Sequence, residues 1–266
     1  MTRSSSGVLV VSLILLALVA SPALAGFSGK DLFVPSVAHA PGQQKTVWFS
    51  DVWVYNPNDS AVQVSFYLLE RDVANTGAVP VVETVQPGDT RLYEDIVASM
   101  FGREVWGALR IAVAEGKKVV VSSRLYNQLP GSPTKKDSTG QDFAGVPASF
   151  AIGRGERTQI LGGYSKLPLS TADFRTRFGF VEVTGRSVKV RVTPIDETGA
   201  SLASGKDHQL LAYSQRQFFF ENDFPTVSTE NARLEVEAVD GTGKAICYGM
   251  TVANGSTGQD PTTFEM

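Results

Sequence analysis

Cysteine is almost missing from this chain: of 266 residues only Cys247 is one, so no intramolecular disulfide is available. Units of about 110 residues do not need one, because a core of that size can hold a domain together. Cys247 falls in an apolar run and reads as a small buried hydrophobe, with no partner to make it a nucleophile. Histidine is nearly as scarce. His39 and His208 lack His, Cys or carboxylate neighbours at metal-ligand spacing, so no metal site is expected. Basic excess is lacking too: 24 Lys and Arg stand against 27 Asp and Glu. A nucleic-acid binder needs a basic footprint to displace counterions, so that class is excluded. There is no G-x-S-x-G elbow, no H-E-x-x-H and no glycine loop to cradle phosphate. No catalytic residue and no cofactor is therefore assigned. A site assembled only in space leaves no such motif, and an enzyme of that kind stays as a third reading.

Long apolar runs are confined to the N-terminus. Arg3 opens the chain, 8–20 is almost unbroken apolar sequence, and Pro22-Ala23-Leu24-Ala25 matches an A-x-A cleavage site. Residues 1–25 read as a secretory signal peptide, and the alternative is an uncleaved anchor. No cysteine follows the apolar stretch, so lipid attachment there is not expected. After cleavage no segment has the ~20 apolar residues of a membrane helix. The chain is expected to be exported, either secreted or periplasmic.

What remains is β-like. Val62, Val64, Phe66 and Leu68 alternate with Gln63, Ser65 and Tyr67, the period of a half-buried strand. Turn signals recur, as at Asn56-Pro57-Asn58-Asp59 and Gln86-Pro87-Gly88-Asp89. The pattern also repeats. Ser-Thr-Gly-Gln-Asp occurs at 138–142 and at 256–260. Used as a ruler, it leads to further matches: 48–58 with 174–184 at an offset of 126, and Val62, Val64 and Phe66 with Val188, Val190 and Val192 at the same offset. The run 118–127 is placed on 245–254 at an offset of 127. Short strands, frequent turns and no long helical period predict an all-β chain of two tandem antiparallel β-sandwich (immunoglobulin-like) domains after the signal peptide. The first domain is 26–143, a linker or entry strand is 144–158, and the second domain is 159–266. The pentapeptides are expected to close each sandwich as turns, with Asp142 and Asp260 holding backbone amides. Calcium ligation is the alternative, but a calcium site normally gathers several acids. The pairs Glu94-Asp95 and Asp196-Glu197 are expected to cap or to face solvent.

The strand at 46–56 carries the one informative asymmetry. Trp48, Ser50, Val52 and Val54 share one face with the apolar or small Phe174, Thr176, Phe178 and Phe180 of the second copy, which makes it the core face. The other face has Phe49, Asp51, Trp53 and Tyr55 in the first copy and Arg175, Arg177, Gly179 and Val181 in the second. Two arginines argue for solvent, which puts Phe49, Trp53 and Tyr55 on an outward face. They are candidates either for stacking on a polysaccharide or protein ligand, or for contact between the domains.

Several stretches carry a resemblance: Trp48-Phe49-Ser50-Asp51 running to Asn56-Pro57, Phe174-Arg175-Thr176, and Asn254 followed by Thr257-Gly258 and Asp260-Pro261. On them the chain resembles exported bacterial proteins built of tandem immunoglobulin-like or fibronectin-like sandwiches. The second copy departs by having Glu182-Val183 in place of Asn56-Pro57. The resemblance implies fold and location and brings no catalytic residue. The expected function is that of an exported, non-enzymatic structural, adhesion or binding protein. The alternative is a carbohydrate-binding module using Phe49, Trp53 and Tyr55.

Overall fold

The structure, a computed structural model, describes residues 26–42, 46–128 and 135–254 and the backbone of 261–265. The signal-like segment and the second Ser-Thr-Gly-Gln-Asp copy lie outside the described residues. The first half comprises β1 (Ser28–Gly29), β2 (Asp31–Ala38), β3 (Ala40–Pro41), β4 (Val47–Tyr55), β5 (Val62–Glu70), β6 (Val81–Val85), β7 (Thr90–Tyr93), α1 (Ile96–Phe101), β8 (Trp106–Val113), β9 (Val119–Gln128), β10 (Ser138–Ala144) and β11 (Val146–Pro147). The second half comprises β12 (Arg157–Ser165), β13 (Phe174–Glu182), β14 (Val188–Ile195), β15 (Lys206–Leu210), β16 (Gln215–Phe219), α2 (Phe220–Asp223), β17 (Thr229–Gly241), β18 (Ala245–Ala253) and β19 (Pro261–Glu265).

These strands form four antiparallel sheets, two from each half. The first sheet is built on β10-β9-β4-β7, with β1 and β3 added at its flanks, and the second runs β11-β2-β8-β5-β6. The third runs β12-β17-β14-β15 and the fourth β16-β13-β18-β19. Strand for strand, β2, β8, β5 and β6 correspond to β12, β17, β14 and β15, and β10, β9, β4 and β7 to β19, β18, β13 and β16. The internal repeat therefore extends to the order of pairing.

Alternation explains why the sheets pair face to face. Val62, Val64 and Phe66 of β5 join Val52 and Val54 of β4 and Val119 and Val121 of β9 in one buried cluster between the first two sheets. Val188, Val190 and Val192 of β14 do the same with Phe178 and Phe180 of β13 between the other two. Cys247 is buried in that second cluster, as its apolar run predicts. The segment 92–101 divides between the end of β7 and the short helix α1. Gly102 ends α1 in the left-handed region (φ 62), where its N–H reaches the carbonyl of Ala98 and glycine carries no Cβ penalty.

The register corrects one detail of the repeat. Trp48 pairs with Asn127 and Phe174 with Ala253, so β9 maps onto β18 at 126, not 127. A slip of one residue would turn every side chain to the opposite face. At 126, Val119 and Val121 fall on Ala245 and Cys247, which are core residues in their own half. The first pentapeptide is likewise not a turn. Residues 138–142 lie in β10, paired along β9 with Asp142 opposite Arg124. Ser28 and Gly29 of β1 pair with Val120 and Val119 of β9.

The two halves meet where the second sheet, together with β10 of the first, packs on the fourth. Phe33, Leu69 and Ala108 from the first half and Val181, Val183 and Ile246 from the second form a shared buried cluster. Tyr248, Met250 and Val252 of β18 extend into the first half's core, where the Tyr248 ring meets Phe143 edge-on at 5.7 Å. Hydrogen bonds add to this seam, among them Asp72 N–H to the carbonyl of Gln215 (2.9 Å) and Asn75 N–H to that of Ala212 (2.9 Å).

Candidate binding surfaces

β4 positions the aromatic row through its alternation. Trp48, Ser50, Val52 and Val54 are buried in the core, as expected. Phe49, Trp53 and Tyr55 are half-buried on the opposite, outer face of the first sheet. Their cross-strand neighbours complete that face. Phe49 lies opposite Tyr126 and stacks on it at 5.7 Å, while the His39 ring approaches Phe49 edge-on at 5.3 Å. Trp53 sits between Ser122 and Leu92, and Leu92 is 46% exposed. Tyr55 sits between Val120 and Thr90. None of the three belongs to the cluster that bridges the halves.

A polar cluster lies beside this row. Asp51, buried in the middle of β4, accepts the Asp95 N–H at 2.9 Å and pairs with Lys135 at 2.7 Å. Lys135 also reaches Glu94 at 2.9 Å, and Asp95 pairs with His39 at 2.8 Å. The Glu94-Asp95 pair therefore does not cap α1 through a side chain. It links β7, β4 and the segment before β10, a role no local spacing could indicate. Burial works to lower the Lys135 pKa, but hydrogen bonds to Asp51 and Glu94 outweigh it and hold the ammonium above its ordinary range. Burial and the Asp51 charge push the Tyr126 phenol up. Asp196 does take the expected turn role, accepting the N–H groups of Thr198 and Ala200. Among the described residues, no group of three or more His, Cys, Asp or Glu side chains is placed to hold a metal ion.

The comparison face of the second copy is not a solvent face. Arg177 is 5% exposed, Gly179 is buried under Tyr248, and Val181 is buried against the first half. Arg177 is tolerated there because Glu221 pairs with it at 2.9 Å and Phe219 lies under its guanidinium at 3.8 Å. Burial still lowers its pKa to about 10. The charge of an arginine was thus a misleading sign of exposure, since its partner sits 44 residues away. The seam also holds a cleft of about 230 Å³, which includes Trp48, Trp106, Arg71, Gln141, Arg175 and Arg177 in its lining. No motif marks it, because its walls come from both halves.

No family model matches the chain, and no curated protein matches it. Among solved structures, it aligns with the PBSX exported protein XepA at 11% identity and a TM-score of 0.27, over 86% of this chain and 84% of that one. It also aligns with a protein described as secreted from Parabacteroides distasonis ATCC 8503, at 8% identity and a TM-score of 0.24, over 86% and 81%.

Proposed function

We propose that the chain is an exported, non-enzymatic binding protein of two tandem sandwich domains, 26–143 and 159–266, joined through 144–158. These domains are immunoglobulin-like in the broad sense of a two-sheet antiparallel sandwich. Their pairing order differs from the constant-type one, in which the first strand pairs with the second. Here β2 lies between β11 and β8. The signal-like sequence at 1–25 supports export, to the periplasm or beyond.

The observation that carries the binding role is the half-buried row Phe49, Trp53 and Tyr55 beside exposed Leu92 on an outer sheet face. Rings held at their bases by neighbouring strands offer flat area at little entropic cost, which suits sugar rings or a protein surface. The ionisable groups beside the row are paired with one another, which fits a structural duty better than turnover. Depletion of the protein from solution by insoluble polysaccharides tests the reading. Binding that is weakened in Trp53→Ala supports the carbohydrate version, and binding to proteinaceous surfaces alone supports adhesion. Turnover of a glycan or ester substrate would overturn the non-enzymatic reading.

A further inference from the structure

The cleft between the halves has features that packing alone leaves unexplained. Its apolar walls include Trp48, Trp106, Leu125 and Met250. Both indole N–H groups are committed elsewhere, Trp48 to Thr46 Oγ1 at 3.0 Å and Trp106 to the Pro41 carbonyl at 3.2 Å. The rings therefore present carbon surface to the space between them and the second half.

Among the described residues, three polar atoms in the lining have no hydrogen-bond partner, Gln141 Oε1, Arg175 Nε and Arg71 Nε, and of these only Arg71 Nε has an ion contact, with Asp72. Gln141 is 5% exposed; its Nε2 donates to the Met250 sulfur at 3.4 Å, and its Oε1 is buried without a partner. Thioether sulfur is a weak acceptor, so even the made bond is poor. Arg175 Nε is also buried without a partner. Arg175 bonds the neutral side chain of Asn254 and, among the described residues, makes no salt bridge. Burial lowers its pKa, and the charge of Glu221, which is paired with Arg177, offsets this only in part. The neighbouring cations differ. Arg177 has Glu221, and Arg71 has Asp72 at 3.2 Å and the Gln217 carbonyl at 3.1 Å. Buried polar groups in native proteins normally find partners, and those that do not need a reason.

We propose that this cleft binds a small organic carboxylate with a flat apolar body, its carboxylate on Arg175 and an N–H or O–H of the ligand on Gln141 Oε1. The guanidinium fork matches a carboxylate, the unpaired amide oxygen asks for a donor, and the Trp48 and Trp106 walls take the apolar body. The volume of about 230 Å³ falls below the range of pockets for drug-sized ligands, which sets the small size. This site is separate from the outer aromatic face and stands or falls independently of it.

N-acetylphenylalanine combines the three features and serves as the probe, with its uncharged amide and plain acetate as controls. The chain has three tryptophans, so the full-length Trp53→Phe protein reports only from Trp48 and Trp106, both in the cleft lining. The acid is expected to bind saturably by calorimetry and to change that indole emission. The amide and acetate should each bind at least ~10-fold more weakly, and Arg175→Gln should weaken the acid by a similar factor. No saturable binding of the acid, equal binding of acid and amide, or binding untouched by Arg175→Gln overturns the proposal. If Arg175→Gln does not fold, Gln141→Leu decides: unchanged affinity for the acid overturns the site, and a loss supports it.

Discussion

Glu182 stands in the second half where Asn56 stands in the first, and each is a fully buried polar side chain that gathers backbone groups at the end of its strand. Asn56 donates to the carbonyls of Ser60 and Val85, both at 2.9 Å, and accepts the Asn58 N–H. Glu182 accepts N–H groups of Thr184 (2.7 Å), Gly185 (2.8 Å), Tyr213 (2.8 Å), Arg186 (3.2 Å) and Lys244 (3.3 Å). The loss of Asn56-Pro57 in the second copy thus exchanges one collector for another and keeps the turn.

Truncation should expose the importance of both. Glu182→Ala leaves several buried N–H groups without an acceptor, at a cost of about 1–3 kcal/mol for each one water cannot reach. We expect Glu182→Ala to destabilise the protein by more than ~3 kcal/mol and Asn56→Ala by about 2 kcal/mol in urea unfolding. Glu182→Gln is expected to fall between wild type and Ala, because its amide turns two donors toward donors. Equal stability of Glu182→Ala and wild type would remove the hub role.

Gly179 sits in a tight spot of the fourth sheet, between β16 and β18 of its own half. A Cβ there would lie 2.4 Å from Cζ and Oη of Tyr248 and 2.6 Å from the Arg216 carbonyl oxygen. The backbone atom cannot move without breaking the pairing of β13 with β16. Gly179→Ala should therefore cost at least ~2 kcal/mol through overpacking, and Gly179→Val more. A thermal melt unchanged in Gly179→Ala would show that the fourth sheet has more room than these distances allow.

The sequence carried the strands, the repeat and the core face of β4, because each is written in local alternation. Trp48, Val52 and Val54 announce a core by their spacing alone. What it could not carry was the fate of the other faces. Arg177 looks solvated until Glu221 and Phe219 arrive from β16 and α2, and Asp51 looks exposed until Lys135 is brought to it from 84 residues away. Ser-Thr-Gly-Gln-Asp has turn composition, but pairing along β9 overrides that local preference in the first copy. The cleft is further out of reach, since Gln141 and Arg175 become neighbours of one space only when the two halves meet.

Alkaline pH should loosen the second half first. Cys247 and Tyr248 are both buried, and burial pushes the thiol and the phenol well above their ordinary pKa values. The unfolded chain releases these protons at ~8.5 and ~10, whereas the folded chain keeps them. Between the unfolded and folded values the folded state binds more protons, so unfolding becomes easier as pH rises. Stability from this source is complete below pH ~8 and falls from about pH 8.5 upward. Denaturant midpoints measured from pH 7 to 10 should show the decline, and Cys247→Ala should delay its onset toward the tyrosine range. The same burial predicts that Ellman's reagent labels the thiol only as fast as the protein opens. Rapid labelling of native protein at pH 8 would contradict a sealed Cys247.

Trp53 and Trp48 lie five residues apart on opposite faces of β4, and they should separate binding from folding. Trp48 is 6% exposed and packed in the core beside Trp106 at 6.0 Å, so Trp48→Ala should cost about 3–5 kcal/mol. Trp53 is half-buried on the outer sheet face, where truncation removes only part of a ring from its neighbours. For Trp53→Ala a loss of about 1–2 kcal/mol is expected, leaving the fold intact at room temperature. Stacking of a ligand on that ring is lost with it, so affinity for a polysaccharide or protein surface should drop by ~10-fold or more while the circular dichroism spectrum stays unchanged. Phe49 is the graded control, since its ring already stacks on Tyr126. Phe49→Ala should weaken binding less than Trp53→Ala and destabilise at least as much. The opposite ranking, or binding that survives both changes, would move the ligand surface off this face of the first sheet.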